Sequence, residues 1–164
     1  KEETAVMARV RAHFKNPKDI MKSIEDLADQ NQALHKEIEN LVKERNKTLK
    51  KELKEKMQAI DGVQVLCTQL SLDSNSVKDI LFQFKGEIQP FVGIIGNIEG
   101  EKCGLSVIID EALVEQKGWN ATQWIREVAP MIQGGGGGQP FFATAGGKNP
   151  KGLPEALSVL KQKL

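Results

Sequence analysis

Hydrophobic positions in the first third of the chain recur with a helical period. One stripe advances by alternating steps of four and three residues: Ile20, Ile24, Leu27, Asn31, Leu34, Ile38 and Leu41. This spacing is typical of a coiled-coil seam with Asn31 at an a position. We call these seven residues the seam. They can pair two copies of the chain, parallel or antiparallel, or fold against a helix in residues 1–15, and we predict the homodimer.

The predicted long helix has start and stop signals at both ends. Asn16 is placed to cap it, with Pro17 at its first position and Asp19 in its first turn. Beyond Leu41 the apolar stripe resumes with a shifted phase at 49, 53, 57 and 60, and Gly62 is a natural helix stop. Residues 1–15 carry a weaker stripe, which predicts a separate short helix.

The remaining residues alternate between short strand and helix patterns. We expect strands at 63–70, 91–98 and 103–110, the last two joined by a four-residue link at 99–102. Helices are expected after caps at Asn75 and Asn120, the second running through Ile132, and a last helix opens at Pro154. The prediction is an α+β fold: a helical coiled-coil arm, residues 1–62, followed by a small mixed-sheet globular domain with packed helices, residues 63–164.

Composition excludes several classes of protein. The 164 residues are 40% hydrophobic and 27% charged, with a formal net charge of +1, which rules out a collagen-like or wholly disordered chain. The apolar run at 91–95 is far shorter than the roughly 20 residues of a bilayer span.

Cys67 and Cys103 form no CxxC pair, so we expect a reduced, cytoplasmic protein. Because the chain opens at Lys1 inside a predicted helix, we expect it to be part of a longer protein.

Residues suited to catalysis are scarce. The two histidines, His13 and His35, lie in the charged arm, and no Cys or His pair has zinc-ligand spacing. Asp110 and Glu111 form the best carboxylate pair for acid–base chemistry, but an ordinary solvated strand end is the much better explanation of this pair. We therefore predict neither a catalytic set nor a metal site in this chain.

A run of five glycines, residues 134–138, is the strongest anomaly. Such a run costs folding entropy, and the neighbouring Ile132 and Phe141 do not resemble a flexible linker. The run follows a predicted helix rather than a strand, and Asn149 stands where a phosphate-binding loop needs Ser or Thr, so neither classical nucleotide motif is present. We expect a loop that either faces a ligand or packs tightly.

Lysines cluster near this run. Beyond Glu127 the only acid is Glu155, against four lysines at 148, 151, 161 and 163. Residues 43–56 of the arm hold seven bases and three acids, although a solvated helix face would look the same. Two basic surfaces suit a polyanion, whose binding would depend steeply on salt.

The sequence from 134 to 150, GGGGGQPFFATAGGKNP, resembles the closing signature of bacterial alanyl-tRNA synthetases. It belongs to the DHH-associated domain at their C-terminus, which also occurs in DHH phosphoesterases. The similarity extends over 63–164, and the arm is similar to the helical subdomain that precedes this domain in the synthetases. The arm therefore favours the synthetase family over the phosphoesterases.

This resemblance implies a helical stalk that takes part in dimerisation and a globular unit that docks on the outer corner of tRNA(Ala), recognised by shape and stacking. Upstream domains would hold the aminoacylation and editing sites with their ATP, magnesium and zinc, so no cofactor is expected here. Gln139 departs from the basic residue that is usual in the family, and Lys148 is our preferred charged contact. The implied tRNA-binding residues are Gly134, Gly135, Gly136, Gly137, Gly138, Gln139, Gly146, Gly147, Lys148 and Lys151.

Two alternatives remain open from the sequence. The chain could be the substrate-binding cap of a DHH-family phosphoesterase, which would prefer short single strands or dinucleotides. It could instead be a purely structural coiled-coil dimerisation module in which the glycine run merely packs.

Overall fold

The computed structural model describes all 164 residues, which divide into two compact units, Lys1–Lys47 and Thr48–Leu164. The first unit contains α1, Glu2–His13, and most of α2, Ile20–Glu55. Asp19 Oδ1 accepts the Lys22 N–H at 3.1 Å and so caps α2. The predicted start at Asn16 and Pro17 was therefore wrong, whereas the separate short helix is confirmed.

The second unit is a six-stranded mixed sheet with helices on both faces. Its strands are β1 Gln58–Ile60, β2 Val63–Leu70, β3 Phe91–Glu99, β4 Lys102–Ile109, β5 Gly134–Gln139 and β6 Phe142–Gly147. Its further helices are α3 Ser74–Glu87, α4 Glu111–Lys117, α5 Ala121–Val128 and α6 Leu153–Lys161, with 3-10 turns at Ala129–Ile132 and Pro150–Gly152. The strand order is β1-β2-β3-β4-β6-β5, with β2 and β3 parallel and all other pairs antiparallel. The predicted α+β fold with a mixed sheet is confirmed.

The predicted helical arm ends earlier than Gly62. Helix α2 stops at Glu55, and residues 58–60 form β1, joined to β2 by Asp61 and Gly62 at φ +50° and +81°. Two successive residues with positive φ make the tight turn that matches strand twist, so this pair closes a hairpin. Leu53 of α2 is fully buried in the core of the second unit. Residues assigned to the arm therefore belong to the compact unit.

Two further boundaries differ from the sequence prediction. Asp73, not Asn75, caps α3, because its Oδ2 accepts the Ser76 N–H at 3.0 Å. The β3–β4 ladder continues to the Glu99–Lys102 pair, so the turn is two residues, Gly100 and Glu101, rather than four. The Asn120 cap is confirmed, since its Oδ1 accepts the Gln123 N–H at 3.2 Å, but α5 ends at Val128 and continues as a 3-10 turn.

The core lies in two layers, one on each face of the sheet. Helices α5 and α6 cover one face, where residues such as Ile94, Leu105 and Ile125 are fully buried. The end of α2 and helix α3 cover the other face, where Leu53 and Phe84 pack in one cluster with Ile95 of β3. None of the helices combines the length and the hydrophobicity that a bilayer crossing requires.

Candidate nucleic-acid interface

The five glycines form the edge strand of the sheet. Strand β5 pairs with β6 alone, so the predicted glycine loop is in fact a strand, and its outer edge has no neighbouring strand. Four of the five glycines are exposed and Gly137 is half-buried. An unpaired edge presents main-chain N–H and C=O groups to whatever lies beside it. The glycines have no side chains of their own to shield these groups.

The glycines alternate between two physical roles. A Cβ added to Gly134, Gly136 or Gly138 would lie 1.9–2.4 Å from a main-chain oxygen of β6, so only glycine fits there. A Cβ added to Gly135 or Gly137 would meet nothing within 4 Å. Gly134, Gly136 and Gly138 are thus packed closely against β6. Gly135 and Gly137 point to the other face of the sheet and leave bare surface there.

That opposite face forms a cleft between the start of α3 and strands β4 and β6. Two adjoining cavities of about 440 and 370 Å³ share Ser74, Asn97 and Gly146 as lining residues. We call the joined cavities the polar cleft. Residues that line one or the other cavity include Lys78, Lys102, Ser106, Phe142, Thr144, Gly147 and Lys148.

Two nearly buried polar side chains form the floor of the polar cleft. Asn97 and Ser106 are each only 3% exposed. The Asn97 Nδ2 donates to the Leu72 carbonyl at 3.1 Å and to the Ser74 Oγ at 3.4 Å, but its Oδ1 has no hydrogen-bond partner in the protein. The Ser106 hydroxyl also has none, and its cross-strand partner Thr144 is exposed.

Lysines stand at the rim of the cleft without acidic partners. Lys102 and Lys148 are exposed and form no ion pair, and Glu99 is the one acid among the lining residues. The Lys78 Nζ lies 5.8 Å from the centre of the Phe142 ring, a cation–π distance. The cleft therefore combines positive charge, an aromatic wall and neutral hydrogen-bonding groups.

Comparison with known proteins bears directly on this arrangement. The family model described as the DHHA1 domain matches residues 62–164, which include β2–β6 and the polar cleft. The chain belongs to the DHHA1 domain family. The match begins beside the predicted domain boundary at 62, although the compact unit of the structure already begins at Thr48.

Relatives of this DHHA1 domain are alanine–tRNA ligases. The chain is 44% identical over 156 residues to the enzyme of Christiangramia forsetii, covering 95% of this chain and 18% of the relative. It is 42% identical over 161 residues to that of Porphyromonas gingivalis, covering 97% and 18%. The resemblance to the C-terminal domain of alanyl-tRNA synthetase is thereby confirmed, and the chain spans about a fifth of the length of these relatives.

A solved structure shares the fold of the DHHA1 domain. The C-Ala domain from Aquifex aeolicus alanyl-tRNA synthetase aligns with a TM-score of 0.57 at 24% identity, over 65% of this chain and 96% of that one. At 24% identity this similarity establishes a shared fold alone.

The fold brings part of the predicted binding set together. Gly134, Gly146, Gly147 and Lys148 line the polar cleft. The other glycines of β5, residues 135–138, do not line it, nor do Gln139 at the end of β5 and Lys151 in the 3-10 turn Pro150–Gly152. Sequence reasoning missed most of the lining residues, among them Lys78, Asn97, Lys102 and Ser106. No motif marks them, because they meet only through the β3–β4–β6 register and the position of α3.

Of the other charged and nucleophilic groups in the second compact unit, Cys103 lines the polar cleft, whereas Cys67 and the ion pairs of Glu87 and Glu111 lie outside it. Lys50 and Lys54, two of the seven arm bases, donate to Glu87, and their hydrogen bonds lower the pKa of that carboxyl. Glu111 pairs with Lys85 at 3.2 Å. Burial raises the pKa of the Cys67 thiol, and burial also raises the pKa of the Cys103 thiol. Both cysteines therefore stay protonated at neutral pH and are poor nucleophiles. No group of three or more His, Cys, Asp or Glu residues could hold a metal ion.

The seam lies in the first compact unit, on α2, and most of it faces solvent. Leu27, Leu34, Ile38 and Leu41 are 54–58% exposed, Ile24 is 39% exposed, Asn31 is exposed and Ile20 is half-buried. A single copy of the chain leaves this apolar stripe uncovered.

Proposed function

We propose that this chain is the tRNA-binding and dimerisation part of an alanyl-tRNA synthetase. It docks on the outer corner of tRNA(Ala) and supports aminoacylation and editing by upstream domains of the same cytoplasmic enzyme. The observation that carries the proposal is the bare glycine edge beside Lys102 and Lys148, which have no acidic partners. The names of the relatives, alanine–tRNA ligases, support the choice of RNA.

Physical chemistry explains why such a surface suits RNA. Lysines without partners release counterions when they meet phosphates, and this release drives binding. Main-chain groups of the open edge reach a backbone that side chains would keep away. A folded RNA corner is recognised by its shape and its exposed bases, for which a broad cleft beside a flat strand is suited.

Replacing Lys148 with Ala should weaken binding of tRNA(Ala) transcript and lower the salt dependence. One lost phosphate contact reduces the slope of log affinity against log salt concentration by about 0.7–1. Filter binding over a salt series measures both quantities. The control is Lys161→Ala, an exposed base on α6, which covers the opposite face of the sheet. Equal slopes for Lys148→Ala and the unaltered chain would remove Lys148 from the interface, and preference for a dinucleotide over tRNA would favour the phosphoesterase alternative.

The seam is the surface through which two copies of the chain associate in this proposal. Its 3.5-residue spacing and its exposure in a single copy both support pairing. Leu34→Glu should weaken the dimer by about 100-fold or more, because a charge buried in a seam without a partner costs several kcal/mol. Sedimentation equilibrium of the full chain measures this.

Gln32→Glu is the matched control for Leu34→Glu, since it adds the same charge at an exposed position of the same helix turn that lies off the seam. The control should dimerise like the unaltered chain. A full chain that sediments as a monomer, or a Leu34→Glu variant that dimerises normally, would contradict pairing through these residues.

A further inference from the structure

The floor of the polar cleft holds hydrogen-bonding capacity that the fold itself does not use. Buried polar atoms are nearly always satisfied by protein or water. The Asn97 Oδ1 and the Ser106 hydroxyl, on neighbouring strands, have no partner in the chain although each residue is only 3% exposed. Neither atom is sealed inside the fold, since the sealed side-chain atom that has no partner is the Thr122 Oγ1. Both line the cleft, so their free atoms are available to a ligand.

Small residues keep this floor open. A Cβ on Gly104, which is the cross-strand partner of Asn97, would lie 2.6 Å from the Asn97 Oδ1. A Cβ on Gly146 would meet nothing within 4 Å, so this glycine leaves the space above the floor empty. The cavity over Ser106 and Thr144 measures about 370 Å³, which lies in the range of small-molecule sites.

The chemistry of the floor limits what can occupy it. Because the Asn97 Nδ2 is held by two acceptors of the chain, the amide offers its oxygen to the cleft, and only a donor can satisfy it. A phosphate would set oxygen against oxygen there. The hydroxyls of Ser106 and Thr144 can donate or accept, and the half-buried Phe142 ring forms an apolar wall. An O–H or an N–H donor satisfies the Asn97 Oδ1, and the flat apolar wall of Phe142 favours a neutral, planar group that carries such a donor.

We propose that the polar cleft takes an unpaired nucleobase with an exocyclic amino group from the bound RNA. The amino group donates to the Asn97 Oδ1, while Ser106 and Thr144 bond the rest of the base edge. Lys78, Lys102 and Lys148 at the rim meet the neighbouring phosphates. Adenine, cytosine and guanine carry such a donor, whereas uracil presents a carbonyl oxygen in its place. This proposal rests on the proposed function and adds a base contact to recognition by shape.

The matched probes are cytidine and uridine 5′-monophosphates, which differ at the amino-bearing position of the base. In NMR titrations of the full chain, the cytidine nucleotide should shift the Asn97 side-chain amide and the Gly146 backbone signals with millimolar affinity. The uridine nucleotide should bind at least about fivefold more weakly, which corresponds to the loss of one ordinary hydrogen bond.

Ser106→Ala and Thr144→Val should each weaken cytidine nucleotide binding by about fivefold and tRNA(Ala) binding by a similar factor. Ser106→Ala should unfold at the same temperature as the unaltered chain, because its hydroxyl has no partner in the fold. A structural role for Ser106 would lower the melting temperature instead. Ser158→Ala, an exposed change on α6, is the control and should alter nothing.

Equal affinity for the two nucleotides, insensitivity to Ser106→Ala and Thr144→Val, or no shift in the cleft up to about 10 mM nucleotide would overturn the nucleobase site. If Lys148→Ala still weakens salt-dependent tRNA binding in that case, the proposed function stands and only the base contact fails. If the cytidine preference appears but tRNA does not bind, RNA is not the source of the base and the proposal is also overturned.

Discussion

Gly136→Val should destabilise the compact unit by roughly 3 kcal/mol, whereas Gly137→Val should leave the fold intact and impair RNA binding. At Gly136 the new Cβ would lie 2.1 Å from the Thr144 main-chain oxygen and 2.6 Å from the Ala145 Cα, so the hairpin must open. At Gly137 the Cβ meets nothing within 4 Å, and valine favours extended backbone. Urea unfolding followed by circular dichroism measures the difference.

Gly137→Val, which should leave the fold intact, is the variant expected to lower the affinity for RNA. Gly137 faces the same side of the sheet as its cross-strand partner Thr144, which lines the polar cleft. A valine there covers main chain that RNA would approach, so we expect tRNA(Ala) affinity to fall by about tenfold. Equal stability of the two variants would contradict the alternation of roles along β5. Full RNA affinity in Gly137→Val would contradict close approach at this strand.

Leu53→Ala should cost about 2–5 kcal/mol of stability, although Leu53 lies within the region that the sequence assigns to the arm. Its side chain is fully buried and packs in the same layer as Phe84 and Ile95. Truncation leaves a cavity beneath the end of α2 that close neighbours cannot fill completely. Thermal and urea unfolding of the compact unit measure the loss.

Leu41→Ala is the matched control, because this leucine lies on the same helix and is 58% exposed. It should change unfolding of the compact unit by less than about 0.5 kcal/mol, while weakening the dimer. A fragment of residues 48–164 should be more stable than one of residues 63–164, which lacks Leu53 and β1. Equal stability of the two fragments, or an unchanged free energy of unfolding in Leu53→Ala, would instead support a domain boundary at residue 62.

Periodicity predicted most of the helices and strands because burial imposes it directly. The seam spacing gave α2, and alternation or short apolar runs gave β2, β3 and β4 within about two residues. The end of the arm was predicted wrongly for a local reason. Met57 and Ile60 continue the helical stripe, yet Asp61-Gly62 is a strong hairpin signal, and the pairing of β1 with β2 outweighs the helical period.

The glycine run could not be assigned to a strand from its own residues. Strand propensity comes from side chains that pack on a pleated surface, and glycine has none. Its extended conformation is imposed by β6, whose Ala143 and Ala145 are buried beneath α5. Sequence alone left ligand contact and tight packing as alternatives. The structure packs Gly134, Gly136 and Gly138 tightly against β6 and leaves open space at Gly135 and Gly137.

The floor of the polar cleft is a product of tertiary structure. Asn97 and Ser106 resemble ordinary polar residues within strands, and only the β3–β4 register places them together under an open space. Lys102 closes a hairpin and Lys78 lies on α3, so neither belongs to the basic tail that the sequence made conspicuous. Such a site is found by following cross-strand neighbours, not by spacing along the chain.

Amide hydrogen exchange of the full chain with and without tRNA(Ala) transcript tests the central claim most directly. Bound tRNA should slow exchange in Gly134–Gln139 and at residues 146–148, and this protection should fade as salt is raised. Helix α6, on the other face of the sheet, should exchange at the same rate in both samples. Protection of α6 with unchanged exchange along the glycine strand would show that RNA binds elsewhere and would contradict the account.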